Sequence, residues 1–132
     1  MQRIDKLAWI YIKDGQLLAT RSKNKELFYL PGGKRELGES DETALIREIK
    51  EELTVELIPA TIHYLASFTA QAHDKPEGVE VELGCYQADF TGNIQANAEI
   101  EEVAWLTYQD KSSCSTAAKL VLTWLKAKEL IA

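Results

Sequence analysis

The sequence predicts an α/β domain in which short strands and two helices form an α/β/α sandwich with a mixed sheet. Three observations favour this class: alternating apolar and polar residues over 79–85, and helical spacing of apolar residues over 41–53 and 115–130. Strands mixed with two helices pack best as layers around one core. A length of 132 residues with 45% hydrophobic content suits a single domain over residues 1–132.

The chain begins with a predicted hairpin. Residues 6–12 are mostly apolar and β-branched, which is typical of a strand, and Asp14 and Gly15 form a dipeptide that favours a tight turn into a second strand over 17–22. We therefore expect a hairpin at the start of the chain.

The first helix is predicted over Asp41 to Leu53. Ser40 is suited to cap its N-terminus, and Asp41 and Glu42 place negative charge in the first turn, where the helix dipole favours it. At about 100° per residue, an apolar stripe runs along one side. Its members are Leu45, Ile46, Ile49 and Leu53.

Three glutamates flank this stripe. With Leu45 at zero, Glu52, Glu48 and Glu51 fall at roughly −20°, −60° and −120°. Carboxylates grouped beside a core repel one another, so we expect them to hold a divalent cation such as Mg²⁺, which prefers oxygen ligands and shares them with substrate phosphates. The alternative is a solvated acidic face with an ordinary Arg47–Glu51 pair. The Pro31-Gly32-Gly33 turn ahead of the helix favours the metal site.

The second half of the chain predicts further strands and a closing helix. Strands are expected over 61–70, 79–85 and 103–106, with a polar loop around His73 and a turn at 91–93. The closing helix should run over 115–130. Its predicted buried side comprises Leu120, Val121, Trp124 and Leu125.

The segment from Gly33 to Val55 resembles the signature of the Nudix family. That signature is a glycine, five residues, a glutamate, seven residues, then Arg-Glu, an aliphatic residue, one residue, Glu-Glu, one residue, a glycine and an aliphatic residue. Its matching positions are Gly33, Glu39, Arg47, Glu48, Ile49, Glu51, Glu52 and Val55. Thr54 departs from the pattern, because the family has glycine there. A β-branched residue disfavours the left-handed conformation that often closes a helix, so strain is expected if Thr54 adopts it.

The resemblance implies hydrolysis of a nucleoside diphosphate linked to another moiety, with Mg²⁺ or Mn²⁺ as cofactor. It implies that Glu48, Glu51 and Glu52 bind the metal, with Glu48, Glu52 and the Gly32 carbonyl at the centre of the site. It assigns Arg47 to orienting the glutamates, Gly33 to supporting the loop and helix, and Glu39 either to that support or to binding an additional metal. A later carboxylate is also expected in this family. The candidates are Glu99, Glu101 and Glu102.

Three residues near the glycines are candidates for binding substrate. Lys34 and Arg35 follow Gly33 in the turn that would face phosphates, and Tyr29 precedes it and could form a wall of a nucleobase pocket. For Tyr29, burial beneath the loop is an equal alternative.

Composition narrows the class of partner. A net charge of −6 argues against a surface for nucleic acid polymers, which needs clustered basic residues. Two isolated cysteines favour free thiols over a disulfide framework or a zinc site. No apolar run long enough for a membrane span occurs, so we expect a cytoplasmic protein with a small-molecule substrate. A homodimer is left open.

The substrate is predicted only by elimination. The proline and tyrosine that mark the ADP-ribose and dinucleoside polyphosphate subfamilies downstream of the signature are absent, which leaves the mutator-type nucleoside triphosphate pyrophosphohydrolases. The alternatives are a non-nucleotide diphosphate such as an isoprenoid or sugar diphosphate, and a nucleotide-binding module without turnover. The complete glutamate set argues against the last.

Overall fold

The computed structural model describes residues 2–72 and 75–132, and the loop position predicted for His73 lies outside them. Four strands precede the first helix in this part of the chain, and five more lie between the two helices. The strands are β1 (Gln2–Trp9), β2 (Ile12–Lys13), β3 (Gln16–Ser22), β4 (Gly32–Gly33), β5 (Glu56–Leu57), β6 (His63–Gln71), β7 (Val79–Gln87), β8 (Phe90–Thr91) and β9 (Ile100–Leu106). The helices are α1 (Asp41–Leu53) and α2 (Thr116–Ala127), with 3-10 turns at Pro59–Thr61 and Tyr108–Ser113.

The main sheet is mixed. Its strand order is β4-β1-β7-β6, in which β1 and β7 are parallel while β4 and β6 each pair antiparallel with their neighbours. A second, antiparallel sheet has the order β2-β3-β9, and β5 pairs with β8. The long crossover between β1 and its parallel neighbour β7 leaves room for α1.

The two helices lie on opposite faces of the main sheet. In β1, Leu7 and Trp9 belong to the core cluster that contains the buried side of α1, whereas Ala8, and Ile10 just after the strand, belong to the cluster that contains α2. This alternation follows from the two-residue period of a strand. The predicted α/β/α sandwich is confirmed.

The first helix forms as the sequence predicts. It spans Asp41–Leu53, and the Ser40 hydroxyl accepts a hydrogen bond from the Thr43 amide at 3.1 Å. Leu45, Ile49 and Leu53 are fully buried. The predicted turn also forms, because Asp14 and Gly15 both take positive φ angles, 53° and 75°.

Two predicted details are wrong. β1 covers Gln2–Trp9 instead of 6–12, because its register is set by pairing with β7 along all eight residues. In α2, Leu120 is 38% exposed, because the buried side of that helix is formed by Ala117, Ala118, Val121, Leu122 and Leu125. Leu120 falls outside that stripe.

Both cysteines, Cys85 and Cys114, are free thiols, as predicted, and the structure buries both. Across residues 2–72 and 75–132 no helix combines the length and apolar character that crossing a membrane requires.

Candidate functional site

The shortest strand of the main sheet brings the glutamates of α1 to its edge. Gly32 and Gly33 form β4, and the Gly32 amide donates a hydrogen bond to Glu52 Oε1 at 3.1 Å. A Cβ atom on Gly33 would lie 1.7 Å from Glu48 Oε2, and one on Gly32 would lie 2.0 Å from the Leu7 carbonyl oxygen. Only glycine therefore lets the strand approach both α1 and β1 this closely.

The glutamates differ in burial in the order their helical angles predict. Glu52 is 8% exposed, the Glu48 side chain is 17% exposed, and Glu51 is exposed. Burial raises the pKa of Glu52 to about 8, against the lowering effect of the Gly32 hydrogen bond. Burial also raises the pKa of Glu48, and the neighbouring Glu51 carboxyl adds to that rise. The two inner carboxylates are therefore costly to ionise without a cation.

Arg47 fastens the loop ahead of α1 to the helix. Its Nε and Nη2 donate to the two carboxylate oxygens of Glu39, each at 2.8 Å, and Nη2 also donates to the Lys34 carbonyl at 3.0 Å. Its Nη1 reaches Glu48 Oε1 at 3.3 Å. The hydrogen bond from Arg47 lowers the pKa of Glu39 to about 2. A bidentate arginine contact of this kind fixes geometry as well as charge.

A cleft of about 490 Å³ opens beside β4. One end is acidic and contains Glu48, Glu52 and Glu99, with Lys34 beside the glycines. The rest of the floor and far wall is mostly apolar or small. These residues include Ile4, Leu30, Ala72, Val81, Leu83, Ala117 and Ala118. A charged end next to an apolar compartment suits a ligand that has a polyphosphate and a ring.

The structure brings some of the predicted residues together and separates others. Lys34 and Tyr29 line the cleft, together with Gly32, Gly33, Glu48 and Glu52. Arg35 lies elsewhere, because it pairs with Asp41 and with Asp5 beside a smaller hollow of about 200 Å³. Glu51 lies next to Glu48 outside the cleft lining.

Of the three later carboxylates, Glu99 alone lines the cleft. It faces the inner glutamates closely enough to raise the pKa of both Glu48 and Glu52. Glu102 instead accepts a hydrogen bond from Arg21 Nε at 3.0 Å, and Glu101 is exposed.

Sequence reasoning missed Lys6 and the start of α2, both of which line the cleft. Lys6 lies in a strand with no motif around it, and Ser115 to Ala118 read only as a helix start. Only the order of the strands and the packing of α2 bring these residues to the cleft, and no local sequence pattern predicts either.

No group of three or more histidine, cysteine, aspartate or glutamate side chains within the described ranges forms a ready-made metal centre. The donor chemistry still suits a divalent metal. Glu48, Glu52 and Glu99 are oxygen donors at one end of a cleft. Burial and, less strongly, repulsion by neighbouring carboxylates raise the pKa values of Glu48 and Glu52, and a hard cation would offset both costs. The Gly32 backbone lies beside Glu52, where its carbonyl could add a fourth oxygen.

Comparison with known proteins identifies the relatives of this chain. The NUDIX domain model matches residues 1–123. The CTP pyrophosphohydrolase of Escherichia coli is 32% identical over 116 residues, which cover 83% of this chain and 80% of that protein. An ADP-ribose pyrophosphatase of Methanocaldococcus jannaschii is 34% identical over 93 residues, covering 68% of this chain and 53% of the relative.

Solved structures share the fold. The solution structure of the E. coli ORF135 protein matches with a TM-score of 0.73 at 29% identity, covering 97% of this chain and 94% of that one. A MutT NUDIX hydrolase from Burkholderia pseudomallei matches with a TM-score of 0.76 at 24% identity, covering 93% and 98%. At 24% identity, the match with the Burkholderia pseudomallei protein shows only that the two chains share a fold.

Proposed function

Since the chain belongs to the Nudix family and is a Nudix hydrolase, we propose that it cleaves a nucleoside triphosphate into the nucleoside monophosphate and pyrophosphate. The cofactor we propose is Mg²⁺, with Mn²⁺ as a substitute. The relatives are named as pyrophosphohydrolase and pyrophosphatase, so cleavage of a phosphoric anhydride is the shared chemistry.

The observation that carries the proposal is the division of the cleft. Glu48, Glu52 and Glu99 gather at one end, and the rest of the cleft is lined mostly by apolar or small side chains. A nucleotide has the same division, with a polyphosphate that needs a metal and a ring that gains from burial.

Each residue of the acidic end then has a role. Glu48, Glu52 and the Gly32 carbonyl would hold the metal, with Glu51 joining when substrate is bound. The metal, when bound, neutralises phosphate charge and makes a water molecule a better nucleophile. Arg47 and Glu39 hold the loop so that Glu48 keeps its direction, and Lys34 binds the phosphates. Burial of Glu52 keeps its carboxylate in one geometry, which favours the charge distribution of the transition state.

The general base is proposed to be a glutamate at the rim of the acidic end. Glu52 is held by the Gly32 amide and by burial, which suits a fixed ligand more than a proton acceptor. Glu99 lines the same end of the cleft but belongs to the segment just before β9, so its backbone is not part of α1. We therefore favour Glu99 as the residue that accepts the proton from water.

CTP is the first substrate to test. The match with this chain covers 80% of the length of the relative named for CTP, but only 53% of the relative named for ADP-ribose. The panel should contain all common nucleoside and deoxynucleoside triphosphates, ADP-ribose, a sugar diphosphate and an isoprenoid diphosphate, with Mg²⁺ and with Mn²⁺. Products identified by ³¹P NMR distinguish release of pyrophosphate from release of phosphate. Turnover confined to ADP-ribose or to a non-nucleotide would overturn the proposal.

Matched glutamine variants test the site. Glu48→Gln and Glu52→Gln keep shape and remove a charged ligand, so hydrolysis should fall by at least about 10²-fold. Glu42→Gln changes an exposed glutamate in the first turn of the same helix and should hydrolyse the substrate at the wild-type rate. Near-normal turnover by Glu52→Gln would remove α1 from the catalytic centre.

A further inference from the structure

Lys6 lies inside the cleft, and its surroundings do not favour a positive charge. Its side chain lines the cavity, with Nζ 5.9 Å from the centre of the Tyr29 ring. Burial lowers the pKa of Lys6, and the neighbouring Lys34 lowers it further, while Glu52 and Glu48 act in the opposite direction. A cation at the limit of contact with one aromatic ring gains little to offset these costs.

The register of two strands explains why Lys6 and Lys34 are neighbours. In the antiparallel pair of β1 and β4, Leu7 lies opposite Gly33 and Ala8 opposite Gly32. Lys6 precedes Leu7 and Lys34 follows Gly33, so this register, continued past the end of β4, brings the two lysines near each other, as the effect of Lys34 on the pKa of Lys6 also indicates. Like charges directly opposite one another destabilise a sheet, and an apolar residue at position 6 would remove that cost. An anion bound between them would also remove it.

The order of strands gives the position of Lys6 along a bound nucleotide. Crossing the sheet from its edge, β4 carries the glycines and the nearby glutamates, β1 carries Lys6, and β7 carries Val81 and Leu83 on the apolar floor. Neighbouring strands are about 4.8 Å apart. Lys6 therefore stands one strand away from the acidic end, between it and the apolar compartment.

We propose that Lys6 binds the phosphate group attached to the nucleoside, and so determines specificity for nucleotides over free pyrophosphate. The inference rests on the proposed function, because it assumes that the polyphosphate lies at β4 and the base over β7. Lys34, at the glycine edge, contacts the phosphates that leave as pyrophosphate. The two lysines thus address the two products of cleavage separately.

Equilibrium binding of the two products tests this division without turnover. Lys6→Met should weaken binding of cytidine monophosphate by about tenfold, the effect of losing one charged hydrogen bond, and leave pyrophosphate affinity unchanged. Lys34→Met should show the opposite pattern. Isothermal titration calorimetry with Mg²⁺ present measures both, and Lys6→Arg should retain most of the nucleotide affinity. Lys13→Met, which removes an exposed lysine in β2, is the matched control and should bind both products as wild type does.

The Tm of the ligand-free protein gives a second measurement. If Lys6 had a purely structural role, replacing it would lower Tm, whereas a lysine kept for binding predicts a rise. Removing the half-buried charge of Lys6 in Lys6→Met removes both its desolvation cost and its repulsion by Lys34, so Tm in the absence of nucleotide should rise by about 2–4 °C. If the wild-type protein hydrolyses nucleoside triphosphates, two results for Lys6→Met would overturn the role of Lys6. These are a Tm lower than that of wild type, and an affinity for cytidine monophosphate equal to that of wild type. A wild-type protein that neither binds nor cleaves nucleotides would instead overturn the proposed function.

Discussion

Glu52 shows how one residue position in a helix determines the character of a site. Its angle of roughly −20° from Leu45 lies nearest the apolar stripe, and the structure leaves it 8% exposed, whereas Glu51 on the outer side is exposed. The same angle that buries the carboxylate brings it to the Gly32 amide. Burial is thus the cause of both its raised pKa and its fixed direction.

Thr54, which replaces the glycine of the family signature, adopts the left-handed conformation, with φ 63° and ψ 18° at the C-terminus of α1. The strain expected for a β-branched residue in this conformation therefore applies. The Thr54 amide donates to the Lys50 carbonyl, and its Oγ1 donates to the Asn93 carbonyl at 3.0 Å. The side-chain hydrogen bond compensates part of the strain, which explains how threonine is tolerated where glycine is usual.

Two variants separate strain from hydrogen bonding at Thr54. Thr54→Val keeps the β-branch and loses the hydrogen bond to Asn93, so the free energy of unfolding should fall by about 0.5–1.5 kcal/mol. Thr54→Gly loses the same bond but also relieves strain of about 1 kcal/mol, so it should be more stable than Thr54→Val by that amount and close to wild type. Chemical denaturation measures both. Equal stability of the two variants would contradict the presence of strain.

At the scale of elements, the loop before α1 is fastened on both sides. On the inner side Arg47 bonds Glu39 and the Lys34 carbonyl. On the outer side Asp41 accepts hydrogen bonds from Arg35 and from the Tyr86 hydroxyl, which attaches the start of α1 to β7. The helix that carries the glutamates is thereby fixed to the sheet at its N-terminus, and β4 fixes it near its C-terminal half.

The close approach of β4 to α1 predicts a selective loss of activity in Gly33→Ala. The new Cβ would meet the end of the Glu48 side chain at 1.7 Å, which can swing away without unfolding the helix. Activity should therefore fall by about 10²-fold, as when an electrostatic group is lost, while Tm changes by a few degrees. Kinetics and thermal unfolding of the same sample test this.

Gly84→Ala is the matched control. Its added Cβ would lie 3.5 Å from Leu7 Cδ2, an ordinary contact, and Gly84 lies in β7 outside the main cleft. Activity should stay within about twofold of wild type, since a tolerated methyl group at an ordinary contact shifts little. Equal losses of activity in both variants would mean that a methyl group added at either position in this sheet lowers activity. That result would contradict a specific effect of the contact between Gly33 and Glu48.

At the scale of the whole molecule, the sequence predicted what local periodicity and spacing control. The bounds and cap of α1, the order of burial of its glutamates and the turn at Asp14–Gly15 all follow from short-range patterns. The family followed from the resemblance of eight positions between Gly33 and Val55 to the Nudix signature, and the sandwich followed from strands mixed with two helices. These features depend on residues that are close in the chain.

The rest depends on contacts between distant segments. Three strands of only two residues, β4, β5 and β8, form by pairing with segments distant in the chain. No local sequence pattern predicts them. Lys6 and the start of α2 reach the cleft only through the sheet order and the packing of α2. Arg35 follows the glycines in the chain but is drawn away by Asp41 and Asp5, which lie on other elements.

The acidic end of the cleft should control how the stability of the metal-free molecule depends on pH. Glu52 has a pKa of about 8 in the folded protein against an ordinary value of 4.5, so the folded state binds more protons than the unfolded state between these values. The free energy of unfolding then decreases as pH rises through this window, by up to about 1.4 kcal/mol per pH unit. Glu39, whose pKa is lowered to about 2, contributes stability that is lost only below about pH 4.5.

Thermal unfolding in EDTA at pH 5.5 and pH 8 measures this slope. Wild-type Tm should be lower at pH 8, and Glu42→Gln, which changes an exposed glutamate, should behave alike. Glu52→Gln mimics the protonated side chain and cannot ionise, so most of the dependence should vanish and its Tm at pH 8 should exceed that of wild type. Adding Mg²⁺ at pH 8 should raise the wild-type Tm, because a ligand that binds only the folded state stabilises it, and should raise that of Glu52→Gln much less. A slope in Glu52→Gln as steep as in wild type would mean that other groups carry the dependence and that Glu52 ionises freely in the metal-free fold.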